Sequence, residues 1–171
     1  MVIWLIGLSG AGKTTIGRHV HEMYKNKFQN TVFIDGDEIR EIFDDHQAVD
    51  SYTVNGRRKN AERITELCAW LDHQNINVVC CILSIFPKMR ASNTKRFSSY
   101  FEAYIKVPMA DLKRKDNKGL YNAAINGEIE NVVGVQIPFP EPKAADIVID
   151  NSNFNISPKS HAEKIFKDAI K

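Results

Sequence analysis

A glycine-rich segment near the start of the chain has the residue types needed to hold phosphate. It reads Gly-Leu-Ser-Gly-Ala-Gly-Lys-Thr from Gly7 to Thr14, and it follows an apolar run, Val2 to Ile6, that predicts a buried strand. The glycines allow the backbone to turn its N–H groups inward, and a helix that starts at Lys13 directs the positive end of its dipole at the same anion. With a strand before it and a helix after it, the segment is interpreted as a P-loop that binds a nucleoside triphosphate.

The side chains of this segment have separate predicted roles. Lys13 supplies a mobile cation for the β- and γ-phosphates, and the Thr14 hydroxyl is suited to ligate Mg²⁺. The residues predicted to contact ATP are Gly7, Ser9, Gly10, Ala11, Gly12, Lys13, Thr14 and Thr15. The Asn-Lys-x-Asp sequence with which GTPases read guanine does not occur in the chain. A P-loop alone does not distinguish kinases from GTPases or motor ATPases, but the lack of this sequence, the small size of the chain and a long irregular segment late in it favour a nucleoside or metabolite kinase.

Two aspartates follow the second predicted strand, Thr31 to Ile34, at the sheet edge where α/β proteins bind ligands. Phosphoryl transfer needs one carboxylate to orient the attacking hydroxyl or accept its proton, and another to hold hydrated Mg²⁺. Asp37 is the candidate base, and Asp35 is its partner and a candidate Mg²⁺ ligand. Alternatively, Asp37 is the N-cap of a helix that begins near Glu38, and the two roles are compatible.

A basic segment downstream places polar side chains at helical spacing. Arg57, Asn60 and Arg63 are three residues apart, so they share one face of a helix, where guanidinium groups can grip an anionic substrate. Arg40 lies one helical turn after Asp37 and could share its face. The alternative for such a basic run is a solvated helix start.

Strands alternate with helices along the chain, which predicts a parallel sheet with helices on both faces, formed by one domain over residues 1–171. Further strands are predicted at 76–83, 100–107 and 147–149, and helices at 13–26, 58–73, 87–98, 109–115 and from Ser157-Pro158 onward. Residues 117–142 contain three glycines and three prolines and are predicted to be irregular. An irregular segment of that length inside a compact domain is usually either a functional lid or disordered.

Composition limits the classes of function. The chain has 171 residues, of which 43% are apolar and 26% charged, and its formal net charge is +2. So small a charge argues against non-specific binding to nucleic acid or to membranes. The three cysteines, Cys68, Cys80 and Cys81, lack metal-ligand spacing and fit a reducing compartment. No apolar run approaches the roughly 20 residues of a membrane span, so we expect a cytoplasmic protein.

The order of these motifs resembles the adenylylsulfate kinase family over most of the chain. The matching sequences are the P-loop, Asp-Gly-Asp-x-x-Arg from Asp35, Arg-x-x-Asn-x-x-Arg from Arg57, Asp-Asn-Lys-Gly-Leu-Tyr from Asp116 and Gly-Glu-Ile from Gly127. The resemblance implies an α/β P-loop kinase-type three-layer sandwich with a central parallel sheet and a mobile lid at about residues 117–142. It also implies transfer of a phosphoryl group from ATP, with Mg²⁺, to the ribose 3′-hydroxyl of adenylyl sulfate.

The resemblance also implies roles for individual residues. Asp37 would be the base, and Arg40, Arg57 and Asn60 would hold the phosphate and sugar of the acceptor. Lys118 and Leu120 would lie on the acceptor side of the lid. Because the family commonly forms dimers, a homodimer is implied as well.

The departures from the family pattern cluster on the acceptor side. The family's Phe-Thr-Gly-Ile-Asp is Val-Val-Gly-Val-Gln from Val132, and the basic lid sequence of the family is Asn-Ala-Ala-Ile-Asn from Asn122. In the family, the phenylalanine at Val132 stacks on the acceptor adenine, opposite a second phenylalanine in a turn where this chain has only Tyr52. At the end of the third strand, where the family usually has Ile-Ser-Pro, this chain reads Leu-Ser-Ile-Phe-Pro from Leu83, so the serine is either displaced or replaced by Phe86.

An intact donor side and an altered acceptor side predict a 5′-nucleotide mixed anhydride other than adenylyl sulfate as the acceptor. A branch of the family that phosphorylates the 3′-hydroxyl of cytidine diphosphoramidate, a precursor in capsule decoration, resembles this description. The smaller pyrimidine could suit Tyr52 and Phe86. Ordinary adenylyl sulfate kinase activity is the alternative. A nucleotide-binding regulator without acceptor turnover is a further one, against which the Asp35 and Asp37 pair argues.

Overall fold

In the computed structural model, which describes residues 1–43, 50–116, 118–153 and 155–171, five parallel strands form one sheet. They are β1 (Val2–Ile6), β2 (Thr31–Asp35), β3 (Asn77–Ile82), β4 (Tyr100–Lys106) and β5 (Ile147–Asp150). Their order across the sheet is β2-β3-β1-β4-β5. The connection after β1 runs toward β2, whereas the connections after β3 and β4 run the opposite way across the sheet. Open α/β sheets form a ligand crevice where connections part in this manner.

Seven helices are found in the described ranges: α1 (Lys13–Lys27), α2 (Gly36–Ile42), α3 (Val54–Asp72), α4 (Pro87–Arg96), α5 (Met109–Lys115), α6 (Leu120–Ile125) and α7 (Pro158–Ala169). Alternation along β1 shows why both faces of the sheet are covered. Ile3 and Leu5 join a core with residues of α1 and α7, whereas Trp4 and Ile6 join a second core with residues of α3. The result is the predicted three-layer arrangement.

Two glycines set how closely α1 approaches its surroundings. Gly12, just before the helix, has φ +93°, and a β-carbon there would lie 2.7 Å from Asn151 Nδ2. Gly17, inside α1, faces the sheet, and a β-carbon would overlap Cys81 Sγ and lie 3.2 Å from Phe33. Glycine at these two positions lets the P-loop and its helix sit against β3 and β5.

Two predicted helix starts are corrected by the caps that the structure contains. Helix α3 begins at Val54 rather than at residue 58, because the Thr53 side chain accepts a hydrogen bond from Gly56 N and caps it. Helix α2 begins at Gly36, because Asp35 Oδ1 accepts from Asp37 N at 2.9 Å. Asp35 is therefore the N-cap, and the alternative in which Asp37 caps the helix is wrong.

The prediction that residues 117–142 are irregular is wrong for Leu120–Ile125, which form α6. Asn117 lies outside the described residues, but α6 follows it, and the Gln136 side chain ties the next turns together. Gln136 Nε2 donates to the carbonyls of Ala124 and Ile129 at 3.1 and 3.3 Å, and its Oε1 accepts from Val132 N at 2.9 Å. Hydrogen bonds within the segment therefore hold these turns together, and the mobility of the segment stays a prediction.

The described residues can be checked for disulfides, metal-ligand clusters and membrane-spanning helices. Cys68, Cys80 and Cys81 are all buried and free of disulfides, as expected for small apolar core residues. In the part of the chain that the structure describes, no three His, Cys, Asp or Glu side chains cluster as metal ligands. Across those same ranges, no helix combines the length and the apolar character needed to cross a membrane.

Candidate active site

A cavity of about 440 Å³ opens where β1, β2 and β3 end, and it brings together most of the residues predicted to act. The three predicted catalytic residues, Lys13, Asp35 and Asp37, all line it. So do the residues predicted to bind the acceptor, which are Arg40, Tyr52, Arg57, Asn60, Phe86, Lys118 and Leu120. The cavity is therefore the candidate active site.

The P-loop forms one side of this cavity. Ser9, Lys13 and Thr14 line it, and the other predicted ATP contacts, Gly7, Gly10, Ala11, Gly12 and Thr15, complete the loop and the first turn of α1. Lys13 Nζ donates to Leu8 O at 2.9 Å. Burial lowers the pKa of Lys13, and nearby negative groups, Asp35 and Asp37 among them, act in the opposite direction. A phosphate could replace the carbonyl as the partner of Lys13 and favour its charged form.

Two residues that were not predicted as site residues hold the P-loop in place. Asn151 Nδ2 donates to Ala11 O at 2.9 Å, and the Tyr121 hydroxyl donates to Ser9 O at 2.8 Å. These partners are 140 and 112 residues apart in the chain. No local pattern could reveal them, although Tyr121 belongs to a motif that carried the family resemblance.

Two carboxylates at the end of β2 occupy different environments. Asp35 is buried, and its Oδ2 accepts from the Thr14 hydroxyl at 2.7 Å. A hydroxyl and a carboxylate oxygen are ligands that Mg²⁺ accepts, so Thr14 and Asp35 fit the metal that the family uses. The Asp37 side chain is 79% exposed, and its Oδ1 pairs with Nη1 of the buried Arg40 at 3.0 Å. Asp37 is thus the carboxylate that a substrate can reach.

Two buried polar atoms beside Asp37 lack partners among the described residues. They are Arg40 Nε and Asn60 Oδ1. The Asn60 amide is anchored on its other side, where Nδ2 donates to Gly36 O at 3.2 Å. Because an unpaired buried polar group is costly, such atoms in a cavity suggest ligand contacts. A donor and an acceptor are thus available for the phosphate and hydroxyl groups of an acceptor nucleotide.

Of the three residues predicted to share one face of α3, Arg57 and Asn60 line the cavity and Arg63 does not. Arg57 lines the cavity, with Nε donating to Tyr52 O at 2.8 Å and Nη2 to Asn131 O at 2.9 Å, and burial together with neighbouring Arg40 lowers its pKa. Arg63 instead lies over the ring of Phe43 at 4.2 Å and is outside the cavity lining. Arg57 therefore joins the lid to the turn before α3, in addition to its predicted role toward the acceptor.

Aromatic and aliphatic side chains form the rest of the acceptor side. Tyr52 is 45% exposed, and the guanidinium carbons of Arg40 and Arg57 lie 4.8 and 5.5 Å from its ring centroid. The ring of Phe86 lies 4.4 Å from the guanidinium of Arg58. Val132, from the lid, is buried and also lines the cavity. This lining is suited to a flat base more than to a compact polyol.

A parallel sheet with a P-loop after its central strand β1 and carboxylates after the edge strand β2 defines a P-loop kinase. The chain belongs to the adenylylsulphate kinase family, whose model matches residues 1–150. It is therefore an ATP-dependent phosphotransferase that acts on a nucleotide.

The relatives include both a cytidine diphosphoramidate kinase and adenylyl-sulfate kinases. The chain is 42% identical to the cytidine diphosphoramidate kinase of Campylobacter jejuni over 151 residues, which cover 88% of this chain and 86% of the relative. It is 31% identical to the adenylyl-sulfate kinase of Paraburkholderia xenovorans over 159 residues, covering 91% and 86%. The Mycobacterium tuberculosis APS kinase structure in complex with AMPPNP and APS matches with a TM-score of 0.85 at 24% identity, covering 99% and 97%. The predicted family and fold are thereby confirmed.

Proposed function

We propose that the chain transfers the γ-phosphoryl group of ATP to the ribose 3′-hydroxyl of cytidine diphosphoramidate. In this proposal the P-loop holds ATP and the opposite side of the cavity holds the acceptor. The product would serve capsule phosphoramidate synthesis.

Sequence similarity supports the choice of acceptor. Identity to the Campylobacter jejuni cytidine diphosphoramidate kinase is 42%, against 31% for the Paraburkholderia xenovorans adenylyl-sulfate kinase, over similar lengths. The difference matters because the P-loop and the Asp35 to Arg40 motif are common to the family pattern. What separates the two activities must therefore lie largely outside those motifs.

The composition of the acceptor side is the observation that carries the proposal. Val132 is buried in the cavity wall where the family pattern has a phenylalanine that stacks on adenine. One aromatic wall is thus replaced by an aliphatic one, and stacking of a base on an aromatic ring is worth about 1–3 kcal/mol. Without this wall, a purine loses more stacking surface than a pyrimidine does, because the purine ring is larger. Tyr52 and Phe86 remain as the aromatic side chains available to the smaller base.

The arrangement of side chains supports a direct transfer. The 3′-oxygen attacks the γ-phosphorus while the bond from that phosphorus to the bridging oxygen of ADP breaks, and Asp37 accepts the hydroxyl proton. Arg40 orients the Asp37 carboxylate through their 3.0 Å ion pair. Lys13 and the N–H groups at the start of α1 stabilise charge on the phosphates. Mg²⁺, which Thr14 and Asp35 would hold, supplies further neutralisation of that charge.

Adenylyl sulfate kinase activity is the second candidate, favoured by the family match over residues 1–150. Both candidates use the same donor site, so only the acceptor distinguishes them.

The proposal is tested by product analysis. The enzyme is incubated with ATP, Mg²⁺ and cytidine diphosphoramidate, and phosphorus NMR follows the reaction. We expect a new 3′-phosphomonoester signal and one ADP per product. Release of ADP at the same rate with and without the acceptor, and no new ester, would exclude this acceptor.

A further inference from the structure

Arg90, on α4, is a buried cation that the predicted mechanism does not use. Its side chain is 8% exposed, and its guanidinium contacts three separate parts of the chain. Nη1 donates to Ser84 O at 2.8 Å, Nη1 and Nη2 lie 3.4 and 3.5 Å from Pro140 O, and Nε lies 3.9 Å from Glu102 Oε2. A buried charge with this many partners fixes those partners relative to one another.

The shortest of these contacts holds the loop that forms one wall of the acceptor side. Ser84 has φ +56°, a left-handed conformation that residues other than glycine rarely adopt, and it lies between β3 and α4. Such a conformation persists where the surroundings impose it. Ser84, Ile85 and Phe86 all line the cavity. The hydrogen bond from Arg90 to Ser84 O therefore orients the peptide that directs these side chains into the cavity.

The other contacts connect this wall to the lid and to the sheet. Pro140 belongs to the stretch through which the lid returns to β5. Glu102 is on β4, where it is buried and accepts from the Tyr100 hydroxyl at 2.6 Å. Arg90 thus joins a rigid strand, the acceptor wall and the end of the lid. Arg90 itself is absent from the cavity lining, so any effect on substrate must pass through the groups it holds.

We propose that Arg90 is a positioning residue for acceptor binding: by holding Ser84 O and Pro140 O, it sets the acceptor wall relative to the lid. The inference rests on the proposed assignment of this side of the cavity to the acceptor. It does not depend on which base the acceptor carries. We expect ATP binding to be independent of Arg90, because the P-loop is held by Tyr121 and Asn151 instead.

The test separates acceptor binding from ATP binding. In Arg90→Met, we expect the KM for the acceptor to rise about tenfold or more, since small misplacements of a substrate wall have effects of that order. The KM for ATP should stay within about twofold of wild type. The matched control is Arg96→Met, on the same helix, whose guanidinium pairs with Glu66 at the surface. It should change neither KM.

A second substitution distinguishes positioning from a general loss of structure. Glycine adopts positive φ without support, so Ser84→Gly in the Arg90→Met background should recover part of the acceptor KM. Arg90→Lys keeps the charge beside Glu102 while losing the forked contact, so it should fold and still show the raised acceptor KM. Equal rises in both KM values, or no recovery by Ser84→Gly, would overturn the inference.

The acceptor for these assays is the one that wild type uses best among cytidine diphosphoramidate and adenylyl sulfate. If wild type phosphorylates one of these acceptors and the acceptor KM is unchanged in Arg90→Met and Arg90→Lys, this inference is contradicted. The proposed function would still stand in that case. A wild-type enzyme that phosphorylates neither acceptor would instead contradict the proposed function.

Discussion

At the scale of single residues, Asp37 and Asp35 show how position alone separates two identical side chains. Asp35 is buried against the Thr14 hydroxyl and caps α2, so its oxygens already have partners. Asp37 follows two residues later, on the first turn of that helix, and its carboxylate reaches the cavity. Asp37 has the more exposed carboxylate of the two, so it is the one proposed to receive the proton of the acceptor hydroxyl.

Asp37→Asn should therefore impair chemistry more than binding. Loss of a general base lowers kcat by about 10²–10⁴-fold, whereas the amide oxygen can still accept from Arg40. We expect that loss in steady-state assays and an ATP Kd within about threefold of wild type by fluorescent nucleotide titration. Glu38→Gln, which removes the surface partner of Arg18, is the control. If ATP affinity falls as far as kcat does, Asp37 is a metal or structural residue.

Val132 is the residue at which acceptor choice should be most easily changed. Val132→Phe restores the aromatic wall of the family pattern, and stacking is worth about 1–3 kcal/mol for an adenine base. We expect kcat/KM for adenylyl sulfate to rise by about 5- to 150-fold, in line with that energy. Ile125→Phe, at an exposed lid position, is the control. An unchanged acceptor preference would show that Val132 does not contact the base.

At the scale of secondary-structure elements, the sequence was sufficient for the strands and for most helices, because their apolar patterns are strong. It was insufficient for α6, a helix of six residues that is too short to show periodicity. It also placed the start of α3 four residues late, because Gly56 masks a first turn that the Thr53 cap stabilises. The structure brings most of the predicted site residues to one cavity, because they belong to sequence motifs, and their roles stay predictions.

Contacts between elements were not foreseen, because they join distant parts of the chain. Arg57 to Asn131 spans 74 residues, and Asn151 to Ala11 spans 140. Sequence patterns report which residues are present near a motif, whereas these contacts depend on how the lid and β5 return to the P-loop.

The packing of α1 on β3 leads to a stability prediction for these two elements. Gly17→Ala should destabilise the protein by about 1–3 kcal/mol, because the added methyl overlaps Cys81 Sγ. Urea denaturation would measure the loss. In a Cys81→Ala background the same substitution should be better tolerated, since the sulfur is gone. Additive losses in the double variant would mean that the two side chains do not compete for this space.

At the scale of the whole molecule, the candidate active site and a cluster of contacts that should stabilise the fold lie at opposite ends of the strands. The site lies where the strands end. At the edge where they begin, Asp72 accepts from Ser98 N at 2.6 Å, from its hydroxyl at 2.8 Å and from the Met1 amine at 2.9 Å. Burial alone would raise the pKa of Asp72, but these donors outweigh it and lower the pKa.

A lowered carboxylate pKa has a defined effect on stability. The contribution of Asp72 is complete above its unfolded-state pKa of about 4, and it is lost as the pH falls through the folded-state pKa. Wild type should therefore lose unfolding free energy below about pH 4 more steeply than Asp72→Asn does. At pH 7 the variant should be less stable, with kcat/KM unchanged. Parallel pH curves in urea denaturation would contradict this role.

The proposed preference of this enzyme for a cytidine acceptor can be measured in a single competition reaction. Equal concentrations of cytidine diphosphoramidate and adenylyl sulfate are incubated together with limiting ATP, and the early product ratio gives the ratio of the two kcat/KM values. We expect the 3′-phosphorylated cytidine product to exceed the adenylyl product by about tenfold or more, because the loss of one stacking wall weakens binding of the adenine base. An excess of 3′-phosphoadenylyl sulfate would contradict it.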